Sequence, residues 1–123
     1  MSIRSYDFHT YWRKNDPEET KRSNSFREKV AKEFASELEA GDLRLHKPHE
    51  EPIGPHPISM WELDTGGKYE PALFARVLAF YQLNHNKLSV LIHPRTNDGD
   101  LKDHTEYALW LGQKQRLITS FLK

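Results

Sequence analysis

The feature that most constrains this chain is the order in which its apolar periodicity switches between the strand and helix repeats. Ser5 to Trp12 alternates, with Tyr6, Phe8, Thr10 and Trp12 on one side and Asp7, His9 and Tyr11 on the other. That is the pattern of a strand with the first set against a core. Asp16-Pro17-Glu18-Glu19 then reads as a helix start: Asp as N-cap, proline where its missing N–H is harmless, and acidic residues beside the positive end of the helix dipole. Phe26, Val30, Phe34, Ala35 and Leu38 recur at helical spacing and Gly41 stops the run, which predicts a helix over 17–40. Leu43 to His46 is a short strand, and Lys47 to Pro55 is a loop stiffened by three prolines. Ile58 to Leu63 is the next strand. Phe74, Val77, Leu78 and Tyr81 form the stripe of a second helix over 70–84, opened by Pro71, and Lys87 to His93 is the most apolar strand. Asp103 is read as the cap of a third helix running to Leu111, before Gly112. The tail from Leu117 to Leu122 is apolar enough to pack.

The order β-α-β-β-α-β, with a C-terminal helix, predicts an α+β, ferredoxin-like domain: four antiparallel strands with two helices on one face. The 123 residues make one such domain, 1–123. The other sheet face is left for the tail, a ligand or a partner subunit to cover, so a homodimer is expected.

Charge narrows the partners. Lys and Arg number 18 and Asp and Glu number 18, so the net charge is zero and the basic footprint of a nucleic-acid binder is missing. No apolar run is long enough to span a membrane. Met1-Ser2-Ile3-Arg4-Ser5-Tyr6-Asp7 lacks the apolar core of a secretion signal, so a cytoplasmic protein is expected. The chain has no cysteine, which excludes thiolate metal sites and cysteine nucleophiles, yet it has seven histidines.

Four histidines fall where chemistry could gather. If Val90 and Ile92 face the core, His93 faces the other way, as His9 does. The first and last strands are neighbours in this fold, so the two share the helix-free face. His56 sits in Gly54-Pro55-His56-Pro57, ahead of the strand flanking the first strand on its other side, and His104 follows Asp103 at a helix start. Histidines without thiols favour a borderline divalent metal such as Fe(II) or Zn(II). Each taken singly has a plain reading as a hydrogen-bonded strand or turn residue. His46-Lys47-Pro48-His49 lies on a charged, proline-broken loop and reads as solvated, and His85 ends a helix.

The same segments carry a family resemblance. Tyr6-Asp7-Phe8-His9-Thr10-Tyr11-Trp12, then Gly54-Pro55-His56-Pro57 with Met60-Trp61-Glu62-Leu63, then Leu88 to Thr96 with Asp103-His104 and Ala108-Leu109-Trp110-Leu111-Gly112 resemble, in order, the motif blocks of the DOPA 4,5-dioxygenase family. Thr10 and Trp12 stand where that pattern is expected to have Ile and Phe, a departure in packing. The resemblance implies extradiol cleavage of a catechol such as DOPA, with Fe(II) as the metal, Zn as the other divalent option, and O₂ as co-substrate. It implies His9, His56 and His93 as metal ligands and His56 and His104 as acid–base residues, so that His56 stands in both sets. Asp7 is a possible carboxylate ligand, Arg95 a partner for a substrate carboxylate, and Tyr11 and Trp61 stacking walls. The competing reading is a non-catalytic ferredoxin-like dimer that binds a small aromatic or a metal. Four histidines more than about 10 Å apart would favour it, because metal–nitrogen bonds are near 2 Å.

Overall fold

The computed structural model describes residues 3–123; Met1 and Ser2, where the reading of the N-terminus begins, lie outside the described residues. The chain runs β1 (Ser5–Trp12), α1 (Pro17–Glu33), α2 (Ala35–Ala40), β2 (Arg44–Leu45), β3 (Ser59–Asp64), α3 (Pro71–Asn84), β4 (Ser89–Arg95), α4 (Asp100–His104), β5 (Leu109–Leu111) and a 3₁₀ turn (Thr119–Phe121). The sheet order is β2-β3-β1-β4-β5 and every pairing is antiparallel. The first four strands have the ferredoxin-like arrangement, with β1 between β3 and β4.

Local chemistry explains the helix limits. The Asp16 carboxylate accepts the Glu19 N–H at 3.1 Å, and the Glu70 carboxylate accepts the Leu73 N–H at 2.8 Å, so each long helix has a side-chain cap ahead of its proline. The helix expected over 17–40 is two helices, because Phe34 leaves helical geometry at φ −108°, ψ 27°. That bend keeps the Phe34 ring buried against Phe80. Gly41 ends α2 at φ 80°, a conformation glycine adopts without strain.

Beneath the helices lies one apolar core. Phe8, Trp12, Trp61, Leu63, Val90 and Ile92 from the sheet meet Phe26 and Val30 of α1 and Val77 and Tyr81 of α3. Trp61, expected to wall a substrate, belongs to this core. Its ring lies 5.4 Å from Phe26, and its indole N–H donates to Ser23 Oγ at 3.0 Å. The cause is alternation: Trp61 pairs with Thr10 and Leu63 with Phe8, so both face the helices, whereas Met60 and Glu62 face the other way.

The third helix differs from expectation. It has five residues, Gly99 stands at its N-cap, and Asp103 lies inside it. The Asp103 carboxylate instead accepts the backbone N–H and hydroxyl of Thr96 at 2.9 and 2.6 Å, tying α4 to the end of β4. The chain then extends as β5 along the free edge of β4, where Leu109–Leu111 satisfies backbone groups that a helix would have left open. Gly112 closes β5 at φ +67°, where a Cβ would meet the Leu88 carbonyl oxygen at 2.6 Å. The helix-free face is thus partly covered from within: Ala108, Trp110 and Leu117 pack over Tyr11, Met60 and Leu91.

Candidate metal centre

Strand alternation delivers the first pair of side chains. Asp7 stands opposite His93 and His9 opposite Leu91 across the β1–β4 pairing, so His9 and His93 are diagonal neighbours on the helix-free face. Their Nε2 atoms are 3.0 Å apart, and both residues are buried. α4 brings His104, whose ring centroid lies 3.8 Å from that of His93. The turn from Ile53 to His56 brings the fourth, with the His56 ring 4.3 Å from His9 and the Tyr11 hydroxyl 2.6 Å from His56 Nδ1.

Hydrogen-bond partners fix two of the tautomers. His93 Nδ1 lies 3.0 Å from the Pro94 carbonyl oxygen and His104 Nδ1 lies 2.7 Å from that of Asp100. A carbonyl can only accept, so both Nδ1 atoms carry the hydrogen and both Nε2 atoms present lone pairs. His9 Nδ1 faces the Met60 sulfur at 3.3 Å, again a group with no hydrogen to give. The His93 Nε2 lone pair faces His9 Nε2 at 3.0 Å, a geometry met either by a hydrogen on His9 Nε2 or by a cation that both rings share. Two nitrogens held at ~2.1 Å from one ion at right angles stand about 3.0 Å apart. One ring nitrogen from each of His9, His93 and His104 lies within 4.8 Å of the other two, and the donor set suits a borderline divalent ion. His56 is outside this trio, its ring lying beside that of His9.

Electrostatics keep the donors ready. Burial pushes the His9 and His93 imidazoles well below their ordinary value, and the neighbouring histidines add to the effect. Burial lowers His56 to about 4, and it lowers His104 as well. His104 is the last residue of α4, so its neutrality comes from burial and not from the helix N-terminus at which it was expected. The buried Asp7 carboxylate lies 3.5 Å from His93 Nε2 and accepts from Arg95 Nε at 2.9 Å and from a terminal Arg95 nitrogen at 2.7 Å. Burial outweighs Arg95 and raises the Asp7 pKa. Among the described residues, Arg95 Nη1 has only a 3.4 Å contact, with Asp100.

Sequence reasoning passed over Glu62, which pairs with His9 across β1–β3. Burial, and then Asp7, push its carboxyl up to about 7, and its oxygen joins Asp7 and His9 in a second possible donor set. It also passed over Met60 and over Trp110, which stacks on Tyr11 at 5.8 Å. The signal for Met60 and Glu62 was the alternation of β3, readable once that strand is paired with β1. On the proline loop, His46 turns to Asp64 at 2.7 Å and stays exposed, as does His49.

Residues 6–121 match the profile of the Dopa 4,5-dioxygenase family. An uncharacterized 21.2 kDa protein of Botryotinia fuckeliana is 33% identical over 97% of this chain and 63% of its own length. A DOPA 4,5-dioxygenase of Amanita muscaria is 27% identical over 89% of this chain and 46% of its own length. The chain thus spans about two-thirds or less of these relatives. The crystal structure of a provisionally assigned dioxygenase from Nostoc punctiforme superposes with a TM-score of 0.73 at 28% identity, covering 97% of this chain and 90% of that one.

Proposed function

The chain belongs to the Dopa 4,5-dioxygenase family, and on that premise we propose that it opens the ring of a catechol such as DOPA, with O₂, at an Fe(II) ion held by His9, His93 and His104. The observation that carries this reading is the 3.0 Å approach of two buried Nε2 atoms beside a third imidazole. Fe(II) held by these three imidazoles would supply open coordination positions for a catecholate and O₂ and the redox chemistry between them.

The chain's own residues do the rest. Neutral imidazoles bind the cation without first releasing protons at neutral pH. Tyr11 and Trp110, stacked at 5.8 Å, form an aromatic wall on the helix-free face. His56, beside His9, is placed to hydrogen-bond a catechol oxygen. Arg95 is held in place by Asp7 and offers Nη1 to a substrate carboxylate. Convergence of the four rings, with centroids no more than 6.5 Å apart in the measured pairs, supports an enzyme over the non-catalytic binder.

The test is anaerobic reconstitution with Fe(II), followed by a panel of catechols (DOPA, caffeate, protocatechuate) and then O₂. The expected result is a yellow ring-opened product with matching O₂ uptake. Metal-loaded protein that consumes no O₂ with any of the three would overturn the reading.

A further inference from the structure

His93 and His104 spend their Nδ1 hydrogen on a carbonyl and His9 Nδ1 lies against a thioether, but His56 faces a different partner. Tyr11 is buried, and among the described residues its hydroxyl has one hydrogen-bond partner, His56 Nδ1 at 2.6 Å. A phenol can donate or accept. If it accepted from Nδ1–H, its own hydrogen would be buried with nothing to bond, which proteins avoid. The hydroxyl therefore donates, Nδ1 is the acceptor, and the single hydrogen of a neutral imidazole lies on Nε2.

We propose that Tyr11 is a positioning residue that locks His56 in the Nε2–H tautomer, so that His56 meets substrate as a hydrogen-bond donor and is not a metal ligand. The rings are then divided by their hydrogen-bond partners: His93 and His104 offer Nε2 lone pairs and His56 offers an N–H. What that N–H acts on rests on the ring-cleavage reading; the tautomer itself does not.

The direct test is long-range ¹H–¹⁵N NMR of ¹⁵N-histidine-labelled, metal-free protein at pH 7.5, with His56 assigned by the signal missing in His56→Gln. The expected spectrum shows His56 protonated at Nε2, and the His56→Gln variant still binds one Fe(II) per chain. In Tyr11→Phe, which removes only the hydroxyl, the His56 ring nitrogens should shift toward an average of the two tautomers. Turnover in that variant should fall on the order of 10–100-fold, the usual scale for a group that orients a site residue. A His56 protonated at Nδ1, or loss of Fe(II) in His56→Gln, would overturn the proposal even if Tyr11→Phe failed to fold. The expected spectrum in a protein that opens no catechol would leave the tautomer standing and remove the ring-cleavage reading instead.

Discussion

Replacing Asp103 with Ala tests whether α4 is held by one buried carboxylate. Asp103 is 1% exposed, and its two oxygens accept the Thr96 N–H and hydroxyl. Alanine leaves both donors without that partner in a buried site, and such orphaned groups cost about 1–3 kcal/mol each. Some of that is recovered if water enters, so a net loss of about 3 kcal/mol is expected. For a chain of this length the unfolding entropy is ~0.26 kcal/mol per degree, so Tm should drop by about 12 °C. Because α4 carries His104, metal affinity should fall as well, by roughly 10–100-fold. Asp103→Asn keeps one acceptor and should lie between the two. Thermal denaturation followed by circular dichroism, with metal-free and metal-loaded samples compared, reads both effects. A drop of less than about 3 °C with unchanged metal affinity would refute the tie between Asp103 and His104.

Other consequences follow from burial and placement. Trp61→Phe should lower stability while leaving KM for a catechol unchanged, because the indole packs under the helices; a several-fold rise in KM in a variant of near-native Tm would contradict that placement. Metal-free protein should lose stability as pH falls. His9, His56, His93 and His104 are held below their ordinary value of 6.5, so the unfolded chain binds more protons beneath it; their contribution is full above about 6.5 and is lost as pH falls below it, for His56 down to about 4. Glu62, raised to about 7, acts in the opposite sense between its ordinary value and 7, as the raised Asp7 does lower down, but four groups outnumber two. Urea midpoints at pH 7.5, 5.5 and 4.5 should therefore decline in that order, and a flat series would refute the account. Leu109, Ile118 and Phe121 remain exposed, and a homodimer is expected to cover them; light scattering at micromolar concentration that gives a monomer mass would refute it.

The sheet and its main helices were legible because their signals are local and redundant. Alternation in β1 and β4, capped starts at Asp16 and Pro71, and Gly41 each point to the same fold. The pairing of His9 with His93 followed from that alternation plus strand order. The segment after Gly99 was misread because Leu-Trp-Leu suits a helix stripe as well as a strand, and only the open edge of β4 decides between them. His104 was placed at the wrong end of its helix for the same reason. Trp61 reads as a wall because it lies in a motif, although the alternation of β3 turns it to the core and turns Glu62 to the site. The tautomers could not be read from the chain, since they depend on partners such as Asp100 O and Met60 Sδ that only folding brings near.

The central claim is that His9, His93 and His104 form one cation site, and metal stoichiometry tests it most directly. Wild-type protein and the three single alanine variants, each checked for folding by circular dichroism, are loaded anaerobically with Fe(II), passed through a desalting column and measured by elemental analysis. The account predicts one ion per wild-type chain and little or none in His9→Ala, His93→Ala and His104→Ala. Folded variants that all retain a full ion would contradict it.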